Sequence, residues 1–286
     1  RVIRTQRLLE NRFGADQWET TLFGFDSLGR QVRTVRSANQ PNYNIVTDPD
    51  LSDYPVNPAP DADMVTETVY DAQGRVRYTA DPQGVKFWNV YDSLGRTIQT
   101  VHNPSSDPDV SGYTINTDPD DADIDIVTEA FYDTDGRIQR TRRVLDVDGS
   151  NVEWVWTLYG YDSQGRQVRT VQHATQPGYF ASTGDLDLSS YTPSADDDKD
   201  ILTETVYDSR DRVYQSIDRA GNVTLYGYDS AGRQVRTIAN ASNPGGSFAD
   251  DLSDYADSNP DPDQDRVSLT TYGLGGRVVR SEEHHV

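Results

Sequence analysis

The phrase YDSLGRTIQT at residues 91–100 has near-copies at 25–34 (FDSLGRQVRT), 161–170 (YDSQGRQVRT) and 228–237 (YDSAGRQVRT). Such self-similarity constrains the fold more than composition does, because each copy takes the same local structure and buries its apolar side against its neighbours. Indexed by the Arg after the turn, the copies fall at Arg1, Arg30, Arg75, Arg96, Arg137, Arg166, Arg212, Arg233 and Arg277. The intervals are 29, 45, 21, 41, 29, 46, 21 and 44 residues, so a pattern of four recurs after 136 or 137. This divides the sequence into a first super-repeat at 1–136, a second at 137–276 and the start of a third at 277–286. Residue 1 already lies inside a motif, so the natural start is expected upstream.

Each copy reads as strand, turn and strand. VTETVY (65–70), KFWNVY (86–91) and TLYGY (224–228) alternate as strands do. In the D-S-x-G that follows, Asp accepts hydrogen bonds from backbone further on and Gly admits a positive φ. A return strand such as RQVRTV (30–35) completes a hairpin, and DPQG (81–84), DVDG (146–149) and DRAG (218–221) add further turns. Tyr before the tip and Arg after it are placed to meet across the hairpin, as a cation–π contact or with Asp as the ion-pair partner. Tyr70, Asp71, Gly74 and Arg75, then Tyr91, Asp92, Gly95 and Arg96, are accordingly assigned to shape, not chemistry. The same holds for Tyr161, Asp162, Gly165 and Arg166, and for Tyr228, Asp229, Gly232 and Arg233.

Joined end to end, these pieces predict an all-β antiparallel meander of about 17 strands, on the order of 80 Å across at about 4.8 Å per strand. An open sheet of that width curls, splits or closes, so a spiral, tube or shell is expected. Composition agrees. The chain has 39 Asp against 8 Glu and 24 Arg against 2 Lys, with 17 Tyr, which favours turns and strands over helix. With no Cys there are no disulfides or thiolate metal sites. The net charge of −21 argues against nucleic acid and anionic membranes, and no apolar run is long enough for membrane insertion.

The acidity is concentrated. Four inserts, 37–63, 102–125, 172–200 and 239–265, carry 25 Asp and one Lys, a net −24, which leaves the remainder at +3. In a meander these long connections share the edge opposite the hairpin tips and are expected to fringe that rim. Three readings stand open: solvated loops, adaptation to high salt, and calcium binding. For the third, Asp121, Asp123 and Asp125, and Asp261, Asp263 and Asp265, place oxygen ligands at alternate positions. No cofactor other than Ca2+ is suggested. The repeated DLSDY (50–54, 251–255) and DLSSY (187–191) point to an ordered role. Trp88, Trp154 and Trp156 suit packing in a curled sheet, or stacking on carbohydrate.

YDAQGRVRYTADPQGVKFWNVYDSLGR (70–96) resembles the YD repeat of the RHS family, and YDSRDRVYQSIDRAGNVTLYGYDSAGR (207–233) nearly as well, with Asp211 replacing the motif Gly. The resemblance implies a segment of a large secreted or surface protein whose repeats wind into a β-sheet shell. The inserts depart from the plain repeat, and no core-closing aspartyl autoprotease segment or variable toxin tail is present. No Ser/His/Asp set, phosphate loop or distinctive carboxylate pair stands out, and the four His are scattered or terminal, so no enzyme is expected. The expectation is a structural wall of an extracellular tube, sheath, filament or shell, partnered head-to-tail by like repeats. The alternatives are a surface adhesion or carbohydrate-binding module and the encapsulating shell of a secreted toxin.

Overall fold

The computed structural model describes residues 3–12, 15–40, 43, 47–56, 63–106, 115, 125–148, 151–182, 184–196, 198–255 and 265–285. Seventeen strands form one antiparallel sheet. They are β1 (Ile3–Arg12), β2 (Ala15–Phe25), β3 (Gln31–Arg36), β4 (Met64–Tyr70), β5 (Val76–Ala80), β6 (Lys86–Tyr91), β7 (Thr97–His102), β8 (Ile126–Tyr132) and β9 (Ile138–Asp148). There follow β10 (Asn151–Tyr161), β11 (Gln167–Gln172), β12 (Ile201–Tyr207), β13 (Val213–Ile217), β14 (Val223–Tyr228), β15 (Gln234–Ala239), β16 (Arg266–Tyr272) and β17 (Val278–His285). One short helix, α1 (Pro177–Phe180), is the only helix among the described residues. The all-β meander expected from the repeat is what the chain forms.

From β1 to β8, and again from β10 to β17, each strand pairs with the next in sequence. The register shifts by one residue at the motif aromatic, between Val69 and Tyr70, Val90 and Tyr91, Gly160 and Tyr161, and Gly227 and Tyr228. A bulge here re-aims the side chain beside it. Local alternation carries no trace of these bulges. DVDG (146–149) departs from its expected turn: β9 runs on to Asp148, which leaves Asp146 inside a strand.

The chain divides into two compact units, one of Arg1–Ala130 with Arg143–Trp154, the other of Phe131–Arg142 with Val155–Val286. In the first, Leu22, Val35, Ala38, Leu51 and Tyr54 form one core and Trp88, Val90, Val101 and Val127 another. In the second, Leu158, Val171, Ala174, Leu188 and Tyr191 form one and Val223, Leu225, Ile238, Leu252 and Val267 the other. Leu51, Leu188 and Leu252, with Tyr54, Tyr191 and Tyr255, come from the inserts. Three of the inserts therefore supply the core and do not merely fringe a rim.

Candidate functional site: the hairpin-tip ladder and its clasps

The tip is a closed electrostatic unit. In the hairpin of β4 and β5, Asp71 Oδ1 accepts the Gln73 and Arg75 amides at 3.0 and 2.9 Å, and Oδ2 accepts Arg75 Nε at 2.7 Å. Gly74 N–H donates to Asp71 O at 3.0 Å with φ +84°, a conformation L side chains resist. The same Asp–Arg bond recurs at 2.6–2.8 Å in six further tips. Burial pushes the Asp71 and Asp92 carboxyls up, but the amide and guanidinium of Arg75 and Arg96 outweigh it and hold both below the usual carboxylate range. Asp211 takes the glycine's place at φ +62° and the turn survives, its amide donating to Asp208 O at 3.2 Å. Asp is among the few L residues that tolerate this region.

The ring each Arg covers belongs to the next hairpin, which corrects the pairing expected within one hairpin. Arg30 lies over Tyr70, Arg75 over Tyr91, Arg137 over Tyr161, Arg166 over Tyr207, Arg212 over Tyr228 and Arg233 over Tyr272, each 4.3–4.7 Å from the ring centroid. Each of these tyrosines also donates its hydroxyl, at 2.7–3.1 Å, to the carbonyl just after that Arg: Gln31, Val76, Ile138, Gln167, Val213 and Gln234. One Arg thus grips its own Asp and the neighbour's Tyr. The bulge turns the Tyr toward the preceding hairpin and makes the latch possible.

A second set of contacts docks the inserts. Arg33 Nη1 donates to Leu51 O at 2.6 Å, and Arg169 and Arg236 hold Leu188 O and Leu252 O in the same way. Phe25 N–H reaches Pro49 O and Tyr228 N–H reaches Asp250 O, both at 2.7 Å. The strand gives way at Gly24, Gly160 and Gly227. A Cβ on Gly24 would stand 2.4 Å from Asp50 O, on Gly227 2.6 Å from Asp251 O, and on Gly160 3.3 Å from Leu188 Cβ. In the β6–β7 hairpin these places hold Val90 and Gln99, and the insert that follows, 102–125, has no DLSxY. In the four hairpins that precede an insert, glycine, arginine and DLSxY therefore occur together or are absent together. Sequence reading missed this, though the three signals are visible when the copies are compared.

Each insert also ends in a buried Asp at positive φ: Asp63, Asp125, Asp200 and Asp265, none above 4% exposed. Asp63 accepts the Asn39 amide at 2.7 Å and the Tyr54 hydroxyl at 2.8 Å. Asp125 accepts the amide and hydroxyl of Ser105 at 2.7 and 2.8 Å. Asp200 takes the amide and hydroxyl of Thr175 and the Tyr191 hydroxyl. Asp265 takes those of Ser242 and the Tyr255 hydroxyl. Burial raises the Asp200 carboxyl, but its donors outweigh this and keep it below its ordinary value. Desolvation, and then the bond to Asp63, push the Tyr54 phenol up to about 12. Of the six candidate metal ligands, Asp125 and Asp265 are these clasps; Asp121, Asp123, Asp261 and Asp263 lie outside the described residues. No three His, Asp or Glu side chains gather at a metal-binding distance among the described residues.

Trp88, Trp154 and Trp156 pack against other side chains, whereas Trp18 is 54% exposed. Trp88 is 2% exposed and stacks on Tyr78 at 4.8 Å, Trp156 stacks on Phe180 at 4.7 Å, and Trp154 lies against the Trp88 cluster. Among the described residues no helix is long and apolar enough to cross a membrane.

No curated protein matches this chain. Among solved structures, the crystal structure of TcdB2-TccC3 is similar over 98% of this chain and 15% of its own, at 13% identity and a TM-score of 0.32. The Photorhabdus luminescens Tc holotoxin pore is similar over 99% and 14%, at 13% and 0.31. A porin-like protein from Bacteroides uniformis is similar over 99% and 94%, at 9% and 0.29. The chain spans about one seventh of the two toxin chains. Residues 207–246 match the RHS Repeat family, and that stretch holds two tips, the Arg212–Tyr228 latch and the start of a docked insert. The chain carries an RHS repeat there, and the same tip and latch recur along its length.

Proposed function

We propose that this chain is a non-catalytic wall segment of an extracellular shell or tube, in which each hairpin is latched to the one before it. The observation that carries the reading is the Arg–Tyr latch, present at six contacts within the two units. Its groups bind backbone and one another and leave no reactive atom presented. The Asp accepts from its own Arg, and the Tyr hydroxyl is spent on a carbonyl. What the motif supplies is a repeatable edge-to-edge joint, which suits a wall.

The latch also bears on how such a wall lengthens. It joins an outgoing strand to the return strand before it, and those two run antiparallel. Growth by further hairpins of one chain repeats this joint. Electron microscopy of the secreted parent protein tests this: a continuous β-walled shell or tube built from one chain is expected. A filament of stacked subunits, or an isolated compact particle with this segment at its centre, would reject it.

A further inference from the structure

The connection after β15 turns back beside β13 and leaves a cleft of about 240 Å³. Its lining includes Tyr214, Tyr228 and Phe248 together with Asp208, Arg212 and Asp250. The Phe248 ring is fixed. It lies so close over Gly246 that a Cβ there would come 2.1 Å from Cζ, and Tyr255 flanks it with centroids 5.1 Å apart. Tyr214 is half-buried on the same Leu225 core, and its hydroxyl has no hydrogen-bond partner among the described residues. Desolvation, and then the Asp254 carboxylate, push this phenol up, so at neutral pH it is an uncharged donor and acceptor. Asp250 pairs with the exposed Arg210 and lies 3.4 Å from Arg212, so carboxylate and guanidinium stand side by side.

Small-ligand sites combine apolar and aromatic walls with a few placed polar groups. Rigid rings accept the C–H face of a sugar, while a carboxylate–guanidinium pair and a spare phenol take its hydroxyls. An organic cation would meet Arg212. An anion would meet Asp208, Asp250 and Asp254 on a chain of net charge −21. A neutral polyhydroxylated ring meets neither objection. We propose that this cleft is a carbohydrate subsite for one neutral pyranose, seated against Tyr214 and Phe248 with its hydroxyls on the Tyr214 phenol and the Asp250–Arg212 pair. The site belongs to one place in the chain: one super-repeat earlier Arg77 stands where Tyr214 does, and insert 102–125 lacks the DLSxY that anchors Phe248's connection. Nothing in it depends on the wall reading.

The test is saturation-transfer NMR on the whole chain with glucose, galactose, mannose, N-acetylglucosamine and, separately, glucuronate. At least one neutral sugar should bind saturably, with its ring protons nearest the protein, and glucuronate should bind at least about tenfold more weakly. Tyr214→Phe removes one oxygen and Phe248→Leu keeps apolar bulk without the ring. Each should weaken binding by about tenfold while the melting temperature stays within a few degrees. Absence of saturable binding by every neutral sugar would overturn the proposal. So would binding that neither variant changes, or glucuronate binding as tight as that of the neutral sugars.

Discussion

Replacing Gly227 by Ala asks whether insert 239–265 belongs to the core. A Cβ at this position would stand 2.6 Å from Asp251 O and 3.1 Å from Leu252 Cγ. Neither neighbour is free to retreat, since Asp250 O accepts Tyr228 N–H and Leu252 O is held by Arg236. Forcing a methyl into such a packed site costs about 1–3 kcal/mol. Relief by undocking would expose Leu252 and Tyr255, which are 0% and 9% exposed, at about 1.5–3 kcal/mol for the Leu alone. Strain is the smaller of the two, so a loss of about 2 kcal/mol is expected, localised to this insert. Amide hydrogen exchange reads it directly. The Leu252 and Tyr255 amides, bonded to Ala249 O and Leu252 O, should exchange about 30-fold faster while those of β11 and β12 stay unchanged. Gly184→Ala is the control, because nothing lies within 4 Å of a Cβ there. Equal exchange at Leu252 in wild type and Gly227→Ala would refute the claim that glycine stands there to admit the insert.

Tyr91→Phe keeps the ring over Arg75 and removes the 2.8 Å bond to Val76 O, so the urea midpoint should fall by an amount worth about 0.5–1.5 kcal/mol. An unchanged midpoint would show that the hydroxyl bond of the latch carries no stability. Gly95→Val places a branched side chain at φ +85° and should cost at least about 1–2 kcal/mol in the same assay; no loss would contradict the turn assignment. Asp265→Asn breaks a buried clasp and should cost about 1.5–3 kcal/mol, equally in calcium and in chelator. A loss seen only in calcium would make Asp265 a metal ligand instead. Asp71, Asp92, Asp162, Asp208 and Asp229 all have depressed folded values. Their contribution is therefore complete above the unfolded carboxylate value and lost as pH falls through the folded one. The urea midpoint should be level near neutrality and decline below about pH 4, and a midpoint that rose on acidification would contradict the assignment.

The strands and tips were legible because their determinants are local. Alternation, an Asp and a Gly three residues apart fix a hairpin without reference to anything distant, and eight tips repeat the message, six of them with both residues. The Arg–Tyr partnership was read one hairpin out of place. The sequence shows which residues recur but not the bulge, which turns Tyr91 away from Arg96's side and toward Arg75. The inserts were misjudged for another reason. Counting charge treats every Asp alike, whereas Asp63, Asp125, Asp200 and Asp265 are buried among hydroxyls and amides. Their constancy just before the outgoing strand, in DMVTETVY, DIVTEAFY, DILTETVY and DRVSLTTY, was the available signal.

The two systems answer different physical needs of a long hairpin sheet. A meander of short strands has only backbone pairing and cross-strand contacts to resist shear between hairpins, and pairing alone tolerates a register slip unless one face is buried. At its six contacts the latch ties a tip to its neighbour at a fixed register, because Tyr must reach both a guanidinium and one particular carbonyl. The insert then buries that face, with Leu51, Leu188 and Leu252 fully or almost fully buried and Asp50, Leu188 and Asp251 set against the strand glycines. A one-residue slip would carry the glycine off the face and set a side chain against the insert backbone. Register is thus specified twice, at the tip by charge and aromatic contact and over the face by shape. The β6–β7 hairpin, with Val90 and Gln99 in place of Gly and Arg, keeps the Arg75–Tyr91 latch and buries Trp88 and Val90 in a core of its own. Its register therefore depends more on the latch, so Tyr91→Phe should be felt more strongly than Tyr228→Phe, whose hairpin also has a docked insert to hold it.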